Sequence, residues 1–576
     1  MYPKKKKTYF DIVAPQRSSI NKLARSREIP RNNRQRISTS SNLSSSSYSS
    51  SYRNNYKYTS QPINNRRINR PFNQKKSHKK RNILLILSII IILGGSGVIF
   101  YGWFVNHLLK RIDVSGFSTS VGGAENILIA GSTTRCGLKF QNAQWGFCSQ
   151  GVTGVNSDII MIVHLVPKTR QVTLLSIPRD TFVPNARAGG LSFKIDAALY
   201  EGPSQLVKAI EEDFGIPIQH YAELNFDGFV NVVNALGGIR MDFPMPVYDA
   251  YSHLDIKVPG CTELTGLTAL QLIRARHLQY KPPSITTNNT YYWPYENQSD
   301  IGRIARTHEF LRVLASSVQK RGLSNPITDE KLISSILPNV TVDSGFNDST
   351  ILGLIEDFHH ANLVNAPQYT LPIAVTPFGN YYFEGENFGD VVFPVEPTDQ
   401  NIINKFLGSS NNTNTMTGKP LPPANTISVS VMNGSGVSGQ ASIIANGLKN
   451  LGYNIYKVGT DKPKSSQAQE TVVYYTAGHE AQAESVARQL SGYVVMSINP
   501  KDIVNGSEIT VLTGTAASVN GASTTSATSS SSPSTSSTSQ TSSNGSVTSS
   551  APSDGFSAPS QPNEGLTPWD PRACTN

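Results

Sequence analysis

Arginines stand at the ends of apolar segments in three places. Ser176-Ile177-Pro178-Arg179-Asp180 closes a β-branched, aliphatic run, and Leu272-Ile273-Arg274-Ala275-Arg276-His277 closes an amphipathic one. Asp300-Ile301-Gly302-Arg303-Ile304-Ala305-Arg306 opens a third, with Arg303 and Arg306 sharing a helix face at i, i+3. A guanidinium is a planar, permanently charged fork matched to phosphate oxygens. Several of them converging at strand C-termini would hold a polyanion, because open α/β sheets bind ligands there. Asp158 opens another apolar run and is the candidate ligand for Mg2+ bridging those phosphates. Taken singly, each arginine reads more simply as a surface ion-pair partner, so the case depends on their convergence.

No competing chemistry is written in the chain. It has no G-x-S-x-G elbow, no Walker A loop and no H-E-x-x-H. VMNGSGVSG (431–439) lacks the full dinucleotide spacing and reads as a tight strand-to-helix turn. Cys136 and Cys148 are twelve apart and bracket a loop with Trp145, which makes them a plausible disulfide. Cys261 and Cys574 then pair by elimination, or stay as two free, buried thiols. Zinc is disfavoured, since no C-x-x-C or Cys/His spacing occurs.

The elements that must position the arginines follow from periodicity. Strand runs lie at 126–130, 158–166 and 171–177; helical patterns lie at 203–214, 226–236, 265–276, 301–320 and 349–359. That alternation predicts an α/β domain over 112–407, a sheet with helices on both faces. A polar linker (408–425) leads to a small second α/β domain (426–514), and 515–576 reads as a Ser/Thr-rich disordered tail.

Charge is segregated along the 576 residues. The net charge of +11 suggests a nucleic-acid binder, but residues 1–82 hold ten Lys and eleven Arg against Asp11 and Glu28, or +19. The remaining 30 basic and 38 acidic residues sum to −8. The tail at 1–82 reads as disordered, with no folded nucleic-acid reader. From Asn82 to Leu109 no residue is charged, and 83–105 is long enough for one transmembrane helix. An 82-residue basic leader is too long for a signal peptide, and a core helix rarely runs so far uncharged. Lys75, Lys76, Lys79, Lys80 and Arg81 place the tail in the cytoplasm and the domains outside the cell membrane. The four Cys then face an oxidising compartment.

At the arginine-bearing stretches the chain resembles the LytR-CpsA-Psr family. The matching runs are NILIAGSTTR (126–135), NSDIIMIVHLVPKTRQVTLLSIPRDTFVP (156–184), FKIDAALYEGP (193–203), LNFDGFVNVVNALGGIRMDFP (224–244), GCTELTGLTALQLIRARH (260–277) and DIGRIARTHEFL (300–311). Residues 428–513 resemble the LytR-type C-terminal domain often attached to it, and CSQGVTGVNSD (148–158) resembles the actinobacterial branch. The resemblance implies a central mixed sheet flanked by helices. It implies a phosphotransferase that moves a glycopolymer from a polyprenyl-pyrophosphate carrier to peptidoglycan, releasing polyprenyl phosphate. Arg179, Arg274, Arg276 and Arg303 then match pyrophosphate-binding arginines, with Arg306 in support and Asp300 orienting them; Asp158 matches the Mg2+ ligand. Catalysis would fall to Asp158, Arg179, Arg274 and Arg276. Three positions depart from the family pattern: Asn156 stands for an arginine, Thr133 for an acidic residue and Thr307 for a glutamine. Arg135 is the candidate to replace the missing phosphate contact. The lipid needs an apolar channel, for which the aliphatic strands and the 226–236 helix are candidates. The competing class is a non-catalytic scaffold or regulator that binds lipid-linked polymer without turning it over.

Overall fold

The structure, a computed structural model, describes residues 109–575 except 137, 139–146, 152, 298, 322–333, 335–336, 359–360, 376–379, 384, 461–467 and 521–565. The basic tail (1–82) and the expected span (83–105) lie outside the described residues. Among the described residues no helix is long and apolar enough to cross a membrane.

Seven strands build the central sheet: β1 (Lys110–Ile112), β2 (Glu125–Ser132), β3 (Ser157–Val166), β4 (Gln171–Ile177), β5 (His220–Asn225), β6 (Val340–Asp343) and β7 (Gln368–Thr370). Their spatial order is β1-β6-β5-β2-β3-β4-β7. β3 runs antiparallel to both β2 and β4, while β5 is parallel to β2 and β7 to β4, so the sheet is mixed. Among the described residues six helices surround it: α1 (Pro203–Phe214), α2 (Phe226–Ala235), α3 (Gly266–Arg274), α4 (Ser299–Arg321), α5 (Asp348–Phe358) and α6 (Thr398–Leu407).

The period-2 pleat divides the strand residues between two faces. Leu128, Ile160, Ile162 and Leu175 pack with Leu206, Ile210 and Phe214 of α1 and Ile403 and Phe406 of α6. Across the sheet, Ile127, Val163 and Leu174 meet Phe358 of α5, and Ile159 packs against the cluster made by α2, α3 and α4. Burying each such aliphatic or aromatic side chain contributes about 1.5–3 kcal/mol, and the two faces together hold the sheet between helices.

Local chemistry fixes the helices that carry the arginines. Asn225 caps α2 by accepting from Gly228 N at 2.8 Å, and Thr265 caps α3 by accepting from Thr268 N at 3.3 Å. α3 then presses so closely on α2 that a Cβ at Gly266 would lie 2.2 Å from the Val230 carbonyl oxygen. Only glycine fits that crossing.

The second α/β unit has β8 (Ser428–Asn433), α7 (Gln440–Asn450), β9 (Asn454–Thr460), β10 (Thr471–Tyr475), α8 (Glu480–Ala487), β11 (Val494–Ile498) and β12 (Ile509–Thr513). Its strand order is β9-β8-β12-β10-β11, over a core of Val429, Val431, Ile444, Leu448, Val473 and Val511. The glycine-bearing stretch 431–439 is a strand-to-helix turn, tied by Asn433 Oδ1 accepting from Ser435 N at 3.1 Å.

The polar linker 408–425 does not lie exposed along its length. Asn414 and Thr415 are buried, Thr415 Oγ1 donates to Gly215 O at 2.5 Å, and both residues bond Glu484 of α8. The buried Glu484 carboxylate needs those donors. Nor is all of 515–576 a disordered tail: Arg572–Ala573 adds a strand to Ile239–Phe243. The composition changes there, from Ser/Thr to Trp569, Asp570 and Cys574, which supply apolar, ionic and disulfide anchors.

Candidate functional site

A cavity of about 280 Å3 opens where the ends of β2 and β3 meet α2, α3 and α4. Asp158, Arg179, Arg274, Arg276 and Arg303 line it together with Ile129, Ile159, Phe226, Phe229, Leu270, Ile273 and Phe310. The arginines named from sequence at 179, 274, 276 and 303 are thus brought together from a strand end, a helix end and a helix start.

Sheet register explains one meeting. β3 and β4 pair Ile160 with Ile177 and Met161 with Ser176. Continuing that antiparallel ladder sets Asp158 opposite Arg179, and Arg179 Nη1 donates to Asp158 Oδ1. Asp180 sits between two further cations, Lys194 Nζ at 3.1 Å from Oδ1 and Arg276 Nη2 at 2.5 Å from Oδ2. Asp300 takes Arg303 Nε at 2.7 Å and lies 3.1 Å from Arg276 Nε. Burial works against ionising Asp300, but Arg303, Arg276 and Arg179 outweigh it and hold its carboxyl below the usual range. Asp300 thus contacts both the Arg303 and Arg276 guanidinium groups.

Arg274 is different. Its guanidinium carbon lies 4.7 Å from the Phe226 ring centroid, and Arg135 approaches the same ring at 5.5 Å. Burial lowers the Arg274 pKa; Asp158 attracts the charge while Arg135 and Arg179 repel it. Its Nη1 is buried with no hydrogen-bond acceptor, as is Arg179 Nε; Arg276 Nε faces Asp300 without hydrogen-bond alignment. Buried cationic N–H groups without acceptors are costly, and an anion in the cavity would satisfy them. The apolar walls beside them suit a ligand with a charged head and a hydrocarbon chain.

Mg2+ takes one or two carboxylates and completes its shell with water and substrate phosphates. Asp158 is the carboxylate that lines the cavity, and no cluster of three or more His, Cys, Asp or Glu could hold a metal among the described residues. The donor set therefore fits Mg2+ arriving with a phosphate ligand.

Several residues fall elsewhere than expected. Arg306 does not line the cavity; the pyrophosphate role assigned to it is corrected. Its fully buried guanidinium is taken by Glu296 at 2.6 and 2.8 Å, by Asp570 at 3.0 Å and by the Ala275 carbonyl at 2.7 Å. Arg135 Nη1 donates to its own neighbour Thr133 O at 2.5 Å, beside the cavity. Asn156 and Thr133 bond each other, with Asn156 N donating to Thr133 Oγ1 at 2.9 Å, and neither lines the cavity. Thr307 does line it, its hydroxyl donating to Arg303 O at 2.9 Å. Cys136 is bonded to Cys148 and Cys261 to Cys574.

Sequence reasoning gave no role to Asp180, Lys194 or Asp196, and named the 226–236 helix only as a candidate apolar wall, not the Phe226 ring as a platform for Arg274. Asp196 is buried, receives Asn156 Nδ2 at 3.3 Å and faces Arg179. Burial pushes its carboxyl up, Arg179 pulls it down, and Asp180 and Asp158 push it up again, to about 7. The signal that could have found Asp180 is an acidic residue directly after an arginine at an apolar element end; no such local signal marks Asp196.

Residues 106–388 match the LytR_cpsA_psr family, and residues 426–516 match the family described as LytR cell envelope-related transcriptional attenuator. The chain is 32% identical over 272 residues to the probable cell wall biosynthesis protein LcpB of Corynebacterium glutamicum, spanning 47% of this chain and 60% of LcpB. It is 26% identical over 321 residues to the polyisoprenyl-teichoic acid–peptidoglycan teichoic acid transferase TagV of Bacillus subtilis, spanning 54% of this chain and 75% of TagV. Among solved structures it is similar to a LytR-Csp2A-Psr enzyme from Actinomyces oris, at 24% identity and a TM-score of 0.40, over 52% of this chain and 96% of that one.

Proposed function

The chain carries a LytR-CpsA-Psr family domain over residues 106–388 and a LytR-type C-terminal domain over 426–516, and from that premise we propose that it is a membrane-anchored glycopolymer–peptidoglycan phosphotransferase. The donor would be a glycan on a polyprenyl-pyrophosphate carrier, the acceptor a peptidoglycan sugar, and the place the outer face of the cell membrane. The observation that carries this reading is the buried, unsatisfied Arg274 Nη1 beside Arg179 and Arg276 in a cavity otherwise walled by Phe226, Phe229, Ile273 and Phe310. That combination suits a lipid diphosphate better than a free nucleotide or a nucleic acid. The names of LcpB and TagV agree with it.

In this reading Arg179, Arg274, Arg276 and Arg303 clamp the diphosphate, with Arg135 beside them, and neutralise charge as the P–O bond to the carrier breaks. The acceptor hydroxyl oxygen attacks the glycan-side phosphorus, and polyprenyl phosphate leaves with the bridging oxygen. Phosphate oxygens compete with Asp158 for Arg179, which frees that carboxylate to take the hydroxyl proton. Asp158 would also hold Mg2+ jointly with substrate phosphates; bound there, the ion would offset pyrophosphate charge.

The test is to incubate the full chain with lipid-linked glycan, Mg2+ and peptidoglycan. Wild type should release polyprenyl phosphate and label the peptidoglycan. Arg179→Ala and Arg276→Ala should stay folded and abolish transfer; full transfer by both would sink the assignment. Binding by wild type with no carrier release would favour the scaffold.

A further inference from the structure

Residues 566–575 pack against the arginine-bearing domain. Arg572 and Ala573 pair antiparallel with Asp242 and Met241, and Cys574 is bonded to Cys261. The Trp569 ring stacks on Tyr280 at 4.0 Å and 5°. Between these anchors Asp570 is fully buried. Its Oδ2 accepts from Thr567 N at 2.8 Å and Thr567 Oγ1 at 2.7 Å, which aims Oδ1 at Arg306 Nη1, 3.0 Å away.

Arg306 passes that contact on. Its Nη2 donates to the carbonyl of Ala275 at 2.7 Å. Ala275 is the residue between Arg274 and Arg276, in extended backbone just past the end of α3, where its carbonyl has left the helix ladder. The direction of that one peptide sends Arg274 over Phe226 and Arg276 toward Asp180 and Asp300.

We infer that Asp570 is a positioning residue for the arginine site, acting through Arg306 and the Ala275 carbonyl to fix the spacing of Arg274 and Arg276. The inference rests on the reading of that site as a diphosphate clamp. Glu296 already engages both Nη atoms of Arg306. Asp570 adds a second carboxylate on Nη1, so two acidic residues hold the guanidinium while Nη2 meets Ala275. A clamp whose arms are set by one peptide needs that peptide fixed, because displacements of about 1 Å at a site can cost roughly 100-fold.

The test compares Asp570→Ala, Asp570→Asn and the milder Thr567→Val in the full chain with wild type. Hydrogen exchange at amides 274–277 should rise in all three, most in Asp570→Ala. KM for a polyprenyl-pyrophosphate-linked glycan should rise about 10-fold in Asp570→Ala with a smaller change in kcat, and Asp570→Asn, which keeps an acceptor, should be intermediate. Unchanged exchange at 274–277, or an unchanged KM where only Tm falls, would overturn the inference. If exchange rises locally but wild type neither binds nor transfers the lipid, the positioning contact stands and the clamp reading fails.

Discussion

Arg274 and Arg306 lie 32 residues apart, one just inside the end of α3 and the other on α4, and they meet at the same peptide, Ala275. One guanidinium is neutralised at hydrogen-bond distance: two carboxylates and a carbonyl take the Nη atoms of Arg306, leaving only Nε without an acceptor. The other lies over an aromatic ring, attracted by Asp158 and repelled by Arg135 and Arg179, with its buried Nη1 without an acceptor. Burial disfavours the charge in both. At Arg306, Glu296 and Asp570 outweigh burial and raise its pKa above the ordinary value; at Arg274, burial prevails and lowers it. The difference separates a charge that holds the fold from a charge kept available for a ligand.

The largest effect should come from breaking the carboxylate-paired side. Arg306→Ala leaves Glu296 and Asp570 buried with no cation, and should cost about 3–5 kcal/mol of stability in urea unfolding. Arg274→Ala should do the reverse. It loses one cation–π contact but removes a desolvated charge, so stability should move by no more than about 1 kcal/mol, while transfer falls by roughly 100-fold. If both variants lost stability equally, the distinction would collapse.

A smaller effect concerns Asp196, the acid facing Arg179. Its folded pKa, about 7, lies above the ordinary 3.8, so the folded state holds the proton more tightly than the unfolded chain. Stability from this group is full below about pH 4 and is lost as pH rises to about 7. Asp196→Asn should therefore be more stable than wild type at roughly pH 8 and match it below about pH 4. Thermal unfolding at both pH values checks this; a variant destabilised equally at both would show that the carboxyl is not strained by ionisation.

Much of this was legible in the sequence because it is local. The apolar runs at 158–166 and 171–177 are β3 and β4 almost residue for residue, and the pattern at 203–214 is α1. Those ends place Asp158 and Arg179 opposite each other; the helices that bring Arg274, Arg276 and Arg303 to them are set by tertiary packing. What stayed hidden is non-local. Spacing of i, i+3 groups Arg303 with Arg306, yet a helix turned by some 60° between them faces one toward the cavity and the other into the core. The partners that decide Arg306 come from 10 and 264 residues away. Asp570 sits beyond a Ser/Thr-rich stretch whose composition argues against order, so nothing short-range pointed to it. Asp196 became notable only when folding set it beside Arg179.

The central claim is that the cavity's arginines hold a lipid diphosphate, and the structure of the full chain with a short-chain polyprenyl pyrophosphate bound tests it most directly. The account predicts phosphate oxygens within hydrogen-bonding reach of Arg179, Arg274 Nη1 and Arg276, and the isoprenoid chain along Phe226, Phe229 and Phe310. A diphosphate bound elsewhere, with Arg274 Nη1 still lacking an acceptor, would contradict it.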